Sequence, residues 1–323
     1  PFLSTLNVGY IKNDNKKVAV DRKLYSAFRS LQTGLSPIPT TLSSGLARYL
    51  EKYPHGCTEQ LTSQAVPALV MASPSGGNAP PLQAATAVAR YIETIATRQN
   101  DEGGFGLWVA NPAAAPLASV YAMLALSEAR DRGFPVPSRL IESGLRYLET
   151  LADATPDNLA GARLRAMAIY VLTRNAIVTT RFAAAAQKNM EANHAKTWRE
   201  DPAGAYLAGT YALLQDQSLA EKLSQSLVLG KEHAPDYTAY YDSMSHDAQS
   251  LYILAKHFPS QAAKLPPSAL EGMMRSIEKG SYNTFSSAFT ILALDTYARA
   301  GSDNNVSTRT VGQVIAGKLE PLS

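Results

Sequence analysis

Ser36-Pro37-Ile38-Pro39-Thr40-Thr41-Leu42-Ser43-Ser44-Gly45-Leu46-Ala47-Arg48-Tyr49-Leu50 is the stretch in which the chain changes its period. Each proline pushes the residue before it out of helical geometry, so 36–39 is a break. Before it the pattern is that of strands. Leu6, Val8 and Tyr10 alternate with Thr5, Asn7 and Gly9, and Asn13-Asp14-Asn15 supplies turn chemistry. Val18 and Val20 resume the alternation, and another extended piece falls around Leu31, Thr33 and Leu35. After the break Leu42, Leu46, Tyr49 and Leu50 share one helical face, and no strand signal returns until about residue 304.

Working outward from that first helix, 41–53, the period predicts further helices from the Cys57 motif to 71, then over 82–97, 116–132, 137–153, 158–174 and 180–194. They continue over 203–215, 218–229, 244–257, 268–278 and 284–300, with Gly, Pro, Asn and Asp marking the ends. About twelve helices in hairpins of roughly 40 residues suggest repeated two-helix units that stack on their neighbours. Six such hairpins can close into an α/α toroid, with an open superhelix as the alternative. The Ala-rich stretches 122–125 and 183–186 are expected on the inner ring, where helices must approach closely. Val306, Thr308 and Thr310, then Val311, Val314 and Leu319, return to alternation. The chain therefore divides into a β segment over 1–36, a helical domain over 37–303 and a second β segment over 304–323. The two β segments are expected to pair with each other, as suits an inserted domain with adjacent ends.

The composition excludes several classes. At 46% hydrophobic and 18% charged residues the chain is an ordered globule with a real core. Its net charge of +3 is spread without a basic cluster, which argues against nucleic acid. No apolar run approaches the ~20 residues of a membrane span. The chain begins at Pro1 without an initiator Met or a signal-peptide pattern and reads as a piece of a longer one, its targeting segment elsewhere. Its single cysteine can form no intrachain disulfide, so cysteine usage is silent on redox compartment.

That cysteine lies in Tyr53-Pro54-His55-Gly56-Cys57-Thr58-Glu59-Gln60, between a Pro-x-Gly turn and a helix start. Residues three apart on a helix face one another, so the Cys57 thiol faces the Gln60 carboxamide. In the first turn, exposed N–H groups and the helix dipole favour a thiolate. Gly56 permits a backbone conformation or close approach that other residues resist. Attack of sulfur on the Gln60 carbonyl with loss of ammonia would give an internal thioester, an activated acyl group. A nucleophile reaching it would become bonded to Gln60 and free Cys57. Water would destroy it, so it needs burial; Tyr53, Leu61, Phe105 and Trp108 are the candidate shield, the last two from the glycine-rich loop 100–108.

Gly-Cys-x-Glu-Gln resembles the thioester signature of the α2-macroglobulins and the complement thioester proteins. Gly103-Gly104-Phe105-Gly106-Leu107-Trp108, Ser245-His246-Asp247-Ala248 and Tyr282-Asn283-Thr284-Phe285-Ser286-Ser287-Ala288 extend the likeness to the bacterial α2-macroglobulins. The resemblance covers 37 to about 303 and implies an α/α toroid inserted in a CUB-like β-sandwich, to which the flanking β segments would belong. It implies a protease trap, not a turnover enzyme. A protease cuts a bait region elsewhere in the chain, the thioester is exposed, and a lysine of the protease is captured. By position Cys57 supplies the sulfur, Gln60 is the acyl donor and Glu59 is the motif acid, with a role in orienting the loop or its backbone. Thr58 stands where the animal proteins carry Gly. Implied too are the periplasm, a membrane anchor on another part of the chain, contacts with other domains and links to cell-envelope proteins; no cofactor or metal is implied. Some complement members use a histidine about 100 residues past the motif to redirect the acyl group to hydroxyls. Here no histidine falls between His55 and His194, which predicts direct capture of amines.

Blander readings stand beside these. A lone cysteine is most often an inert buried side chain. His55 could serve as a base for the thiol or simply fill a turn. His246 and His257 are too far apart along one helix to share a metal, and His194 and His233 are isolated. Asp101-Glu102 reads as a solvated loop before an acid pair. The rival functions are an α/α-toroid glycoside hydrolase, needing two carboxylates across a cleft, a prenyltransferase, whose metal-binding cluster is missing, and a non-catalytic helical-repeat scaffold.

Overall fold

The computed structural model describes residues 41–72, 82–109, 111–300, 312–315 and 318–321. Six helices form a closed inner ring: α2 (Thr58–Met71), α4 (Pro116–Asp131), α6 (Leu159–Arg174), α8 (Pro202–Leu213), α10 (Ser243–His257) and α13 (Thr284–Ala300). Each packs on the next, and α13 returns to pack on α2. The outer helices are α1 (Thr41–Glu51), α3 (Leu82–Ala96), α5 (Ser138–Asp153), α7 (Thr180–Asn193), α9 (Gln217–Ser224) and α12 (Pro267–Glu278), with α11 (Pro259–Ala262) a single turn after α10. Outer and inner helices alternate along the chain, so the hairpins close as an α/α toroid and the open superhelix is excluded.

Burial explains the layering. Inner helices such as α4 and α10 are covered on all sides over their middles: every residue from Ala118 to Ala129 in α4 and from Met244 to Ala255 in α10 is buried. A helix buried all round has no polar face. By contrast α5 buries only Leu140, Ile141, Gly144, Tyr147, Leu148 and Ala152, one stripe with helical spacing. Gly144 is small because a Cβ there would run into Met123 Sδ of α4. The expected inner position of 122–125 is met in α4, whereas 183–186 falls in the outer helix α7. There Ala183 and Ala186 are buried and the two alanines between them are exposed, the half-buried face of an amphipathic helix.

The inner helices run parallel, as hydrogen bonds between their ends show. At the N-terminal end Thr284 Oγ1 of α13 donates to Glu59 of α2, Asn283 Nδ2 to Asp242 before α10, and Arg163 of α6 to Asp201 before α8. At the C-terminal end Glu128 of α4 meets Arg174 of α6 and Lys256 of α10, and Arg132 meets Asp295 of α13. All six N-termini thus open on one face, which carries the cysteine motif.

Beyond the ring, β1 (Gly312–Ile315) and β2 (Lys318–Pro321) pair antiparallel, Val314 opposite Leu319. The expected strands within 1–36, the extended reading at 306–310 and the loop 74–81 lie outside the described residues.

Candidate functional site

Tyr53-Pro54-His55-Gly56 carries the chain from α1 to the N-terminus of α2. Cys57 is the N-cap of α2, with φ −65° and ψ 168°, one position before the first turn in which the sequence put it. Its side chain faces the Gln60 backbone N–H, while its own N–H donates to Gln60 Oε1 at 2.9 Å. This is the reciprocal geometry of a capping box, with sulfur in place of the usual hydroxyl. The spacing Cys-x-x-Gln therefore has a mechanical basis. N-cap and N3 side chains each reach back to the other's backbone N–H, which places thiol and carboxamide at the same helix end.

The thiol is buried, with 8% of its residue exposed. Burial pushes its pKa up; the Gln60 N–H, the Glu59 N–H and the Arg98 guanidinium pull against that, and the Glu59 carboxylate adds to the rise. Burial wins, so the net shift runs against the thiolate that the helix end alone would favour. Helix-end N–H groups lower a thiol's pKa only where desolvation does not outweigh them.

Glu59 is 1% exposed, accepts from Ser63 Oγ at 2.8 Å, and receives Thr284 Oγ1 at 2.9 Å on both oxygens. It joins α2 to α13, where the ring closes. Burial raises its carboxyl pKa, against the two hydroxyl donors. Gly56 does not have a positive φ, and a Cβ on it would meet only Leu61 Cδ2 at 3.6 Å, an ordinary contact. The expected need for glycine at this position is therefore not visible here.

The glycine-rich loop lies against the motif through its backbone. Thr58 N–H donates to the Leu107 carbonyl at 3.0 Å, and Thr58 Oγ1 donates to the Gly106 carbonyl. Gly103, at φ +89°, has no room for a side chain, since a Cβ there would run into the Ser143 carbonyl. Phe105 is fully buried, while Trp108 is 53% exposed and Leu107 is exposed as well. Inward packing thus holds for Phe105 and fails for Trp108. Asp101 and Glu102 are exposed, as a solvated loop requires. Tyr53 is half-buried, its ring edge-on to Tyr49 and to His55, each at 5.7 Å. His55 itself is exposed.

Two contributors escape sequence reasoning. Arg98, just after α3, donates from Nη2 to the Gly56 carbonyl at 2.9 Å and from Nη1 to the Leu107 carbonyl at 2.9 Å. Tyr240 has the left-handed φ of 52°, and its phenol is pushed up to about 12 by burial, then by the charges of Glu59 and Cys57. The signal for Tyr240 was a tyrosine-rich loop before α10; for Arg98 there was none beyond its place beside the glycines.

Other buried acids at this face are occupied. Asp201 takes the Arg163 fork at 2.9 and 2.7 Å, Asp242 caps α10, and Asp247 receives the Gly230 N–H and His246. His257 pairs with the Tyr170 hydroxyl, and His233 stacks on His246. Among the described residues no group of three His, Cys, Asp or Glu could hold a metal, and no helix is long and apolar enough to cross a membrane.

Comparison with known proteins adds the decisive observation. An alpha-2-macroglobulin of Rickettsia conorii is 32% identical over 316 residues, 96% of this chain, and an alpha-2-macroglobulin homolog of Yersinia pestis is 33% identical over 308 residues, 92% of it. The chain is a homologue of one segment of the bacterial alpha-2-macroglobulins. It spans 16% and 15% of those two relatives' length. No protein-family model matches it. Among solved structures, Salmonella alpha-2-macroglobulin reacted with methylamine aligns at TM-score 0.63 and 21% identity, covering 80% of this chain and 17% of that one. Native Escherichia coli alpha-2-macroglobulin, from domain MG7 to the C-terminus, aligns at TM-score 0.61 and 19% identity, covering 79% and 42%. At these identities the alpha-2-macroglobulin structures establish a shared helical fold.

Proposed function

We propose that this chain is the acylating segment of a protease trap, in which Cys57 and Gln60 condense to an internal thioester. The carrying observation is the reciprocal pair itself: a buried thiol and a carboxamide placed at one helix N-terminus, with the Cys57 N–H on Gln60 Oε1 at 2.9 Å. Sulfur adds to the Gln60 carbonyl, the amide nitrogen leaves as ammonia, and the thioester remains. Once a bait is cut elsewhere in the whole protein, a lysine amine of the protease takes the acyl group and Cys57 becomes a free thiol. One acyl group serves once, so the protein is an inhibitor and not an enzyme. The structures of relatives described as reacted with methylamine, trypsin activated and activated by porcine elastase support amines and proteases as the reacting partners.

Tyr53 at the motif and Phe105 beneath the glycine loop are proposed as part of the shield; Trp108 would serve only when another domain covers it. The domain limits 37–303, a CUB-like setting for the flanking segments, a periplasmic location with an anchor on another part of the protein, and contacts with envelope proteins belong to the same proposal. Cell fractionation tests the location.

Exposure to methylamine and, separately, to glycerol tests the chemistry. Peptide mass mapping should find the amine on Gln60 and one thiol released, with the ester minor, since no histidine falls between His55 and His194 to redirect the acyl group. A dominant ester would overturn amine selectivity, and an adduct on another residue would overturn the site.

A further inference from the structure

Arg98 is an unusual neighbour for a buried thiol. It is 8% exposed, and no carboxylate is among its hydrogen-bond partners in the described residues. Nη2 donates to the Gly56 carbonyl at 2.9 Å; Nη1 donates to the Leu107 carbonyl at 2.9 Å and to Thr58 Oγ1 at 3.2 Å. Nε is buried and has no partner among the described residues. A buried cation without a counter-ion is costly, so a fold that keeps one has a use for its charge or its fork. Its partners bracket the thiol. Gly56 precedes Cys57, Thr58 follows it, and the Leu107 carbonyl also accepts the Thr58 N–H.

We propose that Arg98 is a positioning residue for acyl transfer at Gln60. It ties the Gly56 carbonyl just before Cys57 to the Thr58 hydroxyl just after it and to the Leu107 carbonyl that holds the Thr58 N–H, and supplies the positive charge that sulfur needs as it leaves. The inference rests on the thioester proposed above. In that reaction the amine lone pair adds to Gln60 Cδ, and the carbonyl electrons move onto Oε1, where the Cys57 N–H stands. Collapse of the adduct breaks the C–S bond, and its electron pair leaves on Sγ. The amine's surplus proton passes to solvent, and one from solvent returns to sulfur, so the products are one amide and one thiol. Negative charge appears first on Oε1 and then on Sγ. The first is met by an N–H whose direction depends on the clamped loop, and the second by a guanidinium whose charge already acts on the thiol.

The effect is read in the full chain with Arg98→Gln and Arg98→Lys, each checked for folding by its thermal transition. Arg98→Gln should take up methylamine at Gln60 about tenfold more slowly. With Gln60→Ala added to prevent the thioester, it should also move the pH midpoint of Cys57 alkylation upward relative to Gln60→Ala alone. Arg98→Lys keeps a buried charge without the fork. It should retain the alkylation midpoint while still slowing methylamine uptake, and it serves if the Gln variant does not fold. Unchanged rates in both variants overturn the clamp. A midpoint that stays put in Arg98→Gln, or moves equally in Arg98→Lys, overturns the electrostatic role. If the unsubstituted chain takes up no methylamine at Gln60, the thioester itself falls and this inference with it; normal uptake with unaffected Arg98 variants defeats the inference alone.

Discussion

The two ends of the ring each bury a glutamate, and they treat it in opposite ways. At the C-terminal end Glu128 meets Arg174 at 2.7 Å, Lys256 at 2.9 Å and Arg132 at 3.3 Å, and accepts the Tyr252 hydroxyl. Those cations offset its burial and hold its carboxyl well below the usual carboxylate range. At the N-terminal end Glu59 has, among the described residues, the hydroxyls of Ser63 and Thr284 as its side-chain partners, and burial raises it. Helix dipoles account for part of the contrast, since cations suit helix C-termini. The lesson is a division of labour. The C-terminal end is saturated by ion pairs and holds the ring together. At the N-terminal end the ion pair of Arg163 and Asp201 lies on the α6–α8 side, whereas beside Cys57 Glu59 is met by hydroxyls and Arg98 by carbonyls, a setting that suits the buried acyl group proposed there.

The contrast can be broken by substitution. The largest effect is expected for Gln60→Ala, which should abolish methylamine incorporation altogether while leaving the thermal transition near its original midpoint. Glu128→Ala should do the reverse. Losing the shared carboxylate leaves Arg132 with Asp295 and Arg174 with Asp131 but Lys256 without its partner, which costs about 3 kcal/mol of stability, read by denaturant unfolding, yet the folded fraction should incorporate amine at the unsubstituted rate.

Next in size is a difference in pH response. Glu128, whose pKa is lowered on folding, stabilises the fold above its ordinary 4.5, and this contribution is lost as pH falls. Glu59, whose pKa is raised, does the opposite: its ionisation costs stability as pH rises through its folded value. Glu59→Gln should therefore stabilise the chain more at pH 8 than at pH 5, by on the order of 1 kcal/mol, whereas Glu128→Gln should destabilise it about equally at both and progressively less as pH falls below 4.5. Thermal midpoints across that range measure both. The smallest effect belongs to Thr58→Val, which loses its hydroxyl bond to the Gly106 carbonyl and should cost about 1 kcal/mol in the same unfolding measurement.

Much of the ring is legible in the sequence because Gly, Pro, Asn and Asp punctuate a strong helical period. The helices α4, α5 and α6 lie within a residue of their expected limits. Which layer a helix joins is harder to read: the alanines at 183–186 look like those at 122–125, and only the surrounding residues of α7 make it amphipathic. Cys57 and Gln60 are legible because their contact is local, N-cap to N3. Arg98 and Tyr240 are not, because the ring closure that brings them to Cys57 joins residues 41 and 183 positions away along the chain. The protonation of Cys57 is likewise a tertiary property, since burial opposes the local helix end.

The intact mass of the freshly purified chain, set beside that of Gln60→Ala, tests the thioester most directly. The expected result is a chain lighter than its sequence by the mass of one ammonia and without a titratable thiol. Methylamine should then release one thiol, and the Gln60→Ala chain should run at full mass with its thiol free. A chain that has its full sequence mass and never yields a Gln60 adduct when freshly prepared and treated with methylamine would contradict the account.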